Sequence, residues 1–281
     1  MNTVAKFDSF ASRCSQTITK EYSTSFYSAI QLLDAEIRKP IYAIYGMVRL
    51  ADEIVDTFHD YDKDTLLSDF KEDTFKAIRD KISLNPILET FQIVVNKYNI
   101  EHELINSFFE SMRSDLVKTN YLNEPELNKY VYGSAEVVGL MCLQVFCNGN
   151  RKTYDSLKKY AQALGSAFQK VNFLRDLQSD VDDLNRFYFP GFKGATFNDS
   201  LKQKIEKDIQ EDFRMGFEGI KRLPLNCRFG VYVAYRYYMA LFKKLKRTTS
   251  ETILEKRVRI PNHIKMVIVF KAGLRSQLNL I

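Results

Sequence analysis

Apolar residues return every three to four positions along almost the whole chain, and strict alternation of apolar with polar residues is rare. That spacing is the period of an α-helix with one buried face, and it leaves little for a sheet to use. Ile41, Ile44, Tyr45 and Val48 follow it, and so do Phe168, Val171 and Leu174. The expected fold is therefore all-α. Breaks are expected where the turn chemistry lies: Asn85-Pro86, Asn123-Glu124-Pro125, Asn148-Gly149-Asn150, Pro190-Gly191 with Gly194, Leu223-Pro224 and Ile260-Pro261. The stretch from Tyr154 to about Asp183 is longer than a surface helix needs, which predicts core helices arranged around something. With only 11 glycines and 6 prolines in 281 residues, and no Ser/Gly-rich or Pro-rich linker, one domain over residues 1–281 is expected.

The formal charge of +6 is spread among interspersed acids and bases, too modest for a nucleic-acid footprint. The excess gathers late, in Lys243, Lys244, Lys246, Arg247, Lys256, Arg257, Arg259 and Lys265. Two readings stay open for it: a solvated helix face, or attraction to an anionic membrane surface. Cys14, Cys142, Cys147 and Cys227 lack the spacing of a zinc site or a disulfide framework, as expected in a reducing cytoplasm. The opening MNTVAKFDSF has no apolar signal core. No run approaches the ~18 apolar residues of a membrane span, and Met266 to Phe270 is too short an apolar run to anchor the chain. The expected location is the cytoplasm, with peripheral contact at the inner face of the membrane as a further expectation. No oligomeric state is specified.

Two carboxylate pairs carry the chemistry. In Arg49-Leu-Ala-Asp52-Glu-Ile-Val-Asp56, helical spacing puts Arg49, Asp52 and Asp56 on one face, with Glu53 pointing elsewhere. Like charges four apart repel, so a cation should compensate them. Acidic pairs of this kind are also common on solvated faces. The second run, Gln169-Lys-Val-Asn172-Phe-Leu-Arg175-Asp176-Leu-Gln-Ser-Asp180, adds weight. At ~100° per residue, Gln169, Asn172, Asp176 and Asp180 fall within an arc of roughly 80°, and Gly165 lies one turn earlier on the same side. A polar stripe on an otherwise apolar helix must be paired, solvated or metal-bound. Gly165 clears room beside it for a backbone or a ligand. His59, His102 and His263 lie outside both runs, and oxygen ligands alone suit a hard cation such as magnesium. Arg49 and Arg175 would hold a diphosphate on that cation, so the chemistry indicated is departure of diphosphate.

At these residues the sequence resembles the squalene/phytoene synthase family. Tyr22-Ser-Thr-Ser-Phe26 is similar to the family's S-x-S-F segment, and Tyr45 through Asp56 to its Y-x-x-x-R-x-x-D-x-x-x-D motif. Tyr130-Val-Tyr-Gly133-Ser-Ala-Glu-Val-Val-Gly139 resembles Y-x-Y-x-x-A-x-x-V-G. Gly165 through Asp180, followed by Arg186-Phe-Tyr188-Phe-Pro190, resembles G-x-A-x-Q-x-x-N-x-x-R-D-x-x-x-D and then G-R-x-Y-x-P. The resemblance implies an all-α isoprenoid synthase bundle around a central cavity, its two aspartate motifs facing each other. It implies that Asp52, Asp56, Asp176 and Asp180 bind magnesium, or manganese in its place, together with the diphosphate. Arg49, Tyr45 and Arg175 would contact that diphosphate, Gln169 and Asn172 would line the site, and Tyr130 would sit by the reacting centre. Ser23, Ser25 and Phe26 would close the N-terminal side, with Asp115 as a further carry-over.

The activity implied is head-to-head condensation of two geranylgeranyl diphosphates through a cyclopropylcarbinyl diphosphate, as in phytoene and carotenoid synthesis. The alternative is a squalene or dehydrosqualene synthase acting on farnesyl diphosphate. A nicotinamide reductant such as NADPH is expected only for squalene, and no glycine-rich dinucleotide fingerprint is seen. A non-catalytic relative should have lost some of the aspartates, and a class I terpene cyclase should spell D-D-x-x-D; neither description fits Asp52-Glu-Ile-Val-Asp56. Asn185 replaces the glycine usual before Arg186, and asparagine tolerates the left-handed turn expected there. Ser250 to Arg257 lacks a tyrosine that many members carry. Tyr232, Tyr235, Tyr237 and Tyr238 suit either an ordinary core or a wall that guides a cation. Gly133 and Gly139 suit either close helix packing or a groove for a prenyl chain.

Overall fold

The computed structural model describes residues 3–192 and 197–277; Gly194, one of the expected turn residues, lies outside the described residues. Helices account for nearly all of them: α1 Thr3–Tyr22, α2 Thr24–Ile30, α3 Ala35–Asp56, α4 Lys63–Asp80, α5 Pro86–Tyr98, α6 His102–Val117, α7 Glu124–Val131, α8 Val137–Cys147, α9 Arg151–Asp182, α10 Asp199–Ile220, α11 Leu225–Lys246, α12 Ser250–Glu255 and α13 Asn262–Gln277. A π-helical turn, Tyr132–Glu136, joins α7 to α8 without a break. There is no strand among the described residues; Asn120 and Phe187 make one isolated bridge.

Several helices begin where a side chain caps them. Asn85, Asn123 and Asn150 accept hydrogen bonds from backbone N–H groups in the first turns of α5, α7 and α9. Each satisfies a donor that the helix cannot, and Pro86 and Pro125 sit where no N–H is needed. Ser23 caps α2 in the same way, through Phe26 N at 3.3 Å. Asn99 and Asn148 stop α5 and α8 in the left-handed conformation.

Two apolar clusters fill the bundle. One gathers α1 to α6 around α8, with Phe91, Phe108 and Leu140 fully buried; the other joins α7, the second half of α9, α10 and α11. α9 runs through both, against α8 and α10. The continuous helix Glu124–Cys147 is long and apolar enough to cross a membrane by length and composition. That corrects the expectation that no run comes close. Val137, Leu140, Met141 and Val145 are fully enclosed by neighbouring helices, so its apolarity serves the core. Close approach needs small residues there: a Cβ on Gly133 would lie 2.0 Å from Ser111 Oγ and 2.4 Å from Ser107 O of α6. Of the two readings for Gly133, packing is the one realised.

Candidate active site

The four aspartates occupy the last turns of two long helices. Asp52 and Asp56 end α3, Asp176 and Asp180 lie near the end of α9, and neither last turn holds a basic residue. A helix carries partial negative charge in its last turn, so Asp56 and Asp180 oppose the dipoles and all four carboxylates oppose one another. Both pairs face a single polar cleft of about 480 Å³. Gln169, Asn172, Ser23, Phe26, Tyr45, Arg49, Asp115, Tyr130 and Arg175 line it too. Ser25 sits on α2 but is not among the residues lining the cleft.

Arginines divide the carboxylates between them. Arg49 bonds Asp52 and also Glu53. Glu53 therefore stays outside the cleft lining, as expected of its helical position, yet still shares the guanidinium. Arg175 donates Nε and Nη2 to the two oxygens of its neighbour Asp176, the first at 2.9 Å. Three further groups arrive from regions that the two aspartate runs do not announce. Arg186 Nη1 donates to Asp56 Oδ1 at 2.8 Å and Nη2 to the Asp115 carbonyl at 3.1 Å. Arg257, from the basic stretch after α12, pairs with Asp176 at 2.7 Å. Tyr188 stacks on Phe173 with ring centroids 3.9 Å apart, and lies 5.3 Å from the ring of Tyr130. The signal for Arg186 and Tyr188 was the Arg186-Phe-Tyr188-Phe-Pro190 segment, and Asn185 before it does adopt φ 51°, as asparagine permits. For Arg257 the only signal was membership in a basic cluster.

The electrostatics of the cleft favour positive charge. Burial, then repulsion from Asp56, raises the Asp52 carboxyl well above its ordinary range. Burial, then the charges of Asp176 and Asp56, pushes Asp180 up to about 8. Asp115 is pushed up to about 7 by burial, against the pull of Arg186. It accepts the Tyr130 hydroxyl at 2.5 Å on Oδ2, while its Oδ1 is buried without a partner. Tyr130 itself is raised far above the usual phenol, first by burial and then by Asp115. A low-dielectric cleft holding this many acids favours protons or cations.

A hard divalent cation fits the donor set: carboxylates, with no His or Cys beside them. Among the described residues no three His, Cys, Asp or Glu side chains converge on one point. Each helix can thus offer an ion one or two carboxylate oxygens, leaving the rest of its shell to water or to a ligand.

An apolar well of about 280 Å³ opens from the floor of the cleft. Phe26, Tyr45, Ser134, Gln169, Asn172 and Tyr238 belong to both spaces. Phe168 and Tyr238 stack 4.0 Å apart, with Phe26 set edge-on to both, so aromatic rings stand where cleft and well meet. Of the tyrosines expected in core or wall, Tyr238 is wall and Tyr232 is core. Gly139 lines the well, as a groove residue would. Gly165 makes room for backbone: a Cβ there would lie 2.8 Å from the Ala135 carbonyl.

Acidic helix ends around a cleft that leads into a greasy well define the all-α terpenoid synthase fold. A dehydrosqualene synthase solved with a ligand shares it, with a TM-score of 0.81 at 18% identity over 96% of this chain and 98% of that one. Residues 19–263 match the family described as squalene/phytoene synthase, and the chain belongs to that family, whose members are prenyltransferases. The phytoene synthase of Arthrospira platensis is 27% identical over 92% of this chain and 91% of its own. Phytoene synthase 3 of Zea mays is 27% identical over 94% of this chain, which spans 65% of the maize protein's length.

Proposed function

We propose that this protein condenses two molecules of geranylgeranyl diphosphate head to head, forming phytoene with magnesium as its cofactor. The observation that carries the reading is the pair of acidic helix ends meeting over one cleft continuous with an apolar well. Asp52 and Asp56 on one side, and Asp176 and Asp180 on the other, would hold the metal. Bound there, it neutralises the charge that builds on departing diphosphate. Arg49 and Arg175 are placed to exchange part of their carboxylate pairing for diphosphate oxygens.

The allylic cation left behind is attacked by the double bond of the second substrate, and loss of a proton to the released diphosphate closes the ring of the cyclopropylcarbinyl diphosphate. Its own ionisation, rearrangement and loss of a proton give the hydrocarbon. Phe26, Phe168 and Tyr238 offer ring faces to these cations and exclude water. Tyr130, its hydroxyl committed to Asp115, holds that carboxyl in place at the cleft wall.

The lining of the well follows α9 from Asn172 back to Leu157, ~22 Å of backbone, which suits a long prenyl chain. The relatives named above as phytoene synthases favour the twenty-carbon substrate.

The test supplies purified protein with magnesium and either geranylgeranyl or farnesyl diphosphate, with and without NADPH, and identifies the extracted hydrocarbon. Phytoene from the first substrate is expected; a thirty-carbon product made from farnesyl diphosphate alone would overturn the assignment. Asp52→Asn and Asp176→Asn should each abolish turnover with the helical circular dichroism intact. Full turnover in either variant, or in excess chelator, would remove the metal from the mechanism.

A further inference from the structure

α13 turns an apolar stripe outward. Met266, Val267, Phe270 and Leu274 fall within an arc of roughly 100° at ~100° per residue, and they are 74%, 45%, 70% and 47% exposed. The opposite face of the helix is fixed. Ile268 and Ala272 are buried in the core, Lys265 Nζ donates to Thr24 Oγ1 at 3.0 Å, and Arg275 Nη1 donates to Tyr232 Oη at 3.4 Å. The stripe is thus held in place by what lies beneath it.

Charge identifies the occupant. α13 contains no Asp or Glu, and Lys271 borders the stripe on one side. From Lys243 to Arg275 the chain has ten Lys and Arg against two Glu. A second copy docking through the same stripe would bring two such basic regions together, whereas an anionic bilayer complements them. Sixteen residues are too few to span a membrane, but a helix with an apolar face and basic flanks lies in the interface plane.

We propose that α13 docks the protein on an anionic lipid bilayer. Met266, Val267, Phe270 and Leu274 enter the acyl boundary, and Lys271 stays at the headgroups. α13 packs on α11, whose Gly230, Val231 and Ala234 line the apolar well, so docking places the bilayer one helix away from it. The bilayer's use as a sink for a hydrocarbon product rests on the function proposed above; docking itself does not, and it is measured without substrate.

The full chain is sedimented with phosphatidylcholine vesicles, with and without phosphatidylglycerol. Binding is expected to be at least tenfold tighter with the anionic lipid, and to fall at least tenfold in the Met266→Gln/Phe270→Gln variant. The chain has no tryptophan, so Phe270→Trp supplies a single fluorophore on the stripe. Its emission should shift to the blue when anionic vesicles are added. Equal sedimentation of wild type and double variant, or unchanged emission from the Phe270→Trp variant, would overturn the proposal. So would a wild-type dimer in light scattering that the double variant converts to a monomer.

Discussion

Replacing Asp180 by asparagine should make the metal-free protein more stable and the enzyme inactive. In the folded chain the Asp180 carboxyl titrates at about 8, because it is buried and because Asp176 and Asp56 repel its charge. The folded state therefore holds that proton more tightly than the unfolded chain does. Its contribution to stability is fully present below the unfolded value of ~3.9 and is lost as pH climbs through about 8. Above that pH, asparagine removes a charge that folding must desolvate. The full pKa difference sets an upper bound of about 6 kcal/mol. Water at the open mouth of the cleft reduces this to ~1–3 kcal/mol. For a chain of this size that is a rise of ~2–6 °C in melting temperature. The assay is thermal unfolding in excess chelator from pH 5 to pH 9. Wild type should lose stability across the range, and Asp180→Asn should show a flatter profile that crosses above it. Added magnesium and diphosphate should stabilise wild type increasingly as pH rises, since the ligands must be deprotonated, and should leave the variant nearly unmoved. A variant that melts lower than wild type at pH 9 in chelator, or one that turns over substrate normally, would refute the account of this carboxylate.

Arg186→Gln leaves Asp56 without its guanidinium partner and frees the Asp115 carbonyl, so a stability loss of ~3–5 kcal/mol is expected from urea denaturation, with turnover lost as well. Gly165→Ala drives a methyl to 2.8 Å from the Ala135 carbonyl, a backbone atom with little room to yield. The gain in helix propensity, ~1 kcal/mol, should be outweighed by ~1–3 kcal/mol of overpacking, read as a net fall in denaturation midpoint. Tyr130→Phe strips a buried acid of its hydroxyl donor and should lower stability by ~1–2 kcal/mol while circular dichroism is unchanged. A midpoint equal to that of wild type would show that the Asp115 contact contributes nothing.

Much of the site was legible because its key residues lie within single helices. The i, i+4 spacing of Asp52 with Asp56 and of Asp176 with Asp180 survives any detail of packing, and so does the stripe that Gln169 and Asn172 share with the second pair. Arg186 and Arg257 were harder to place because their partners are set by tertiary structure: Asp56 lies 130 positions before Arg186. No periodicity links such residues. Asn185 could be read in advance because its requirement is local, a left-handed backbone that asparagine accepts. Ser25, chosen by motif alone, shows the converse: Ser23 caps α2 and Phe26 reaches both cavities, while Ser25 between them faces neither. The Glu124–Cys147 helix passes for a membrane span by length and composition because the centre of a bundle and the centre of a bilayer demand the same residues.

The π turn at Tyr132–Glu136 sets which residues can share a wall. Tyr130, Ser134, Val138, Cys142 and Phe146 recur every fourth position, and all five line the cleft or the well. Along an uninterrupted α-helix, sixteen residues would carry the last of them ~160° past the first, around to the far side. The wider turn absorbs about one residue, and the drift falls to ~60°. Deleting a single residue from this turn would therefore leave an ordinary α-helix in the same phase, whereas imposing α geometry with every residue kept would swing Cys142 and Phe146 out of the well while Tyr130 stayed at the rim.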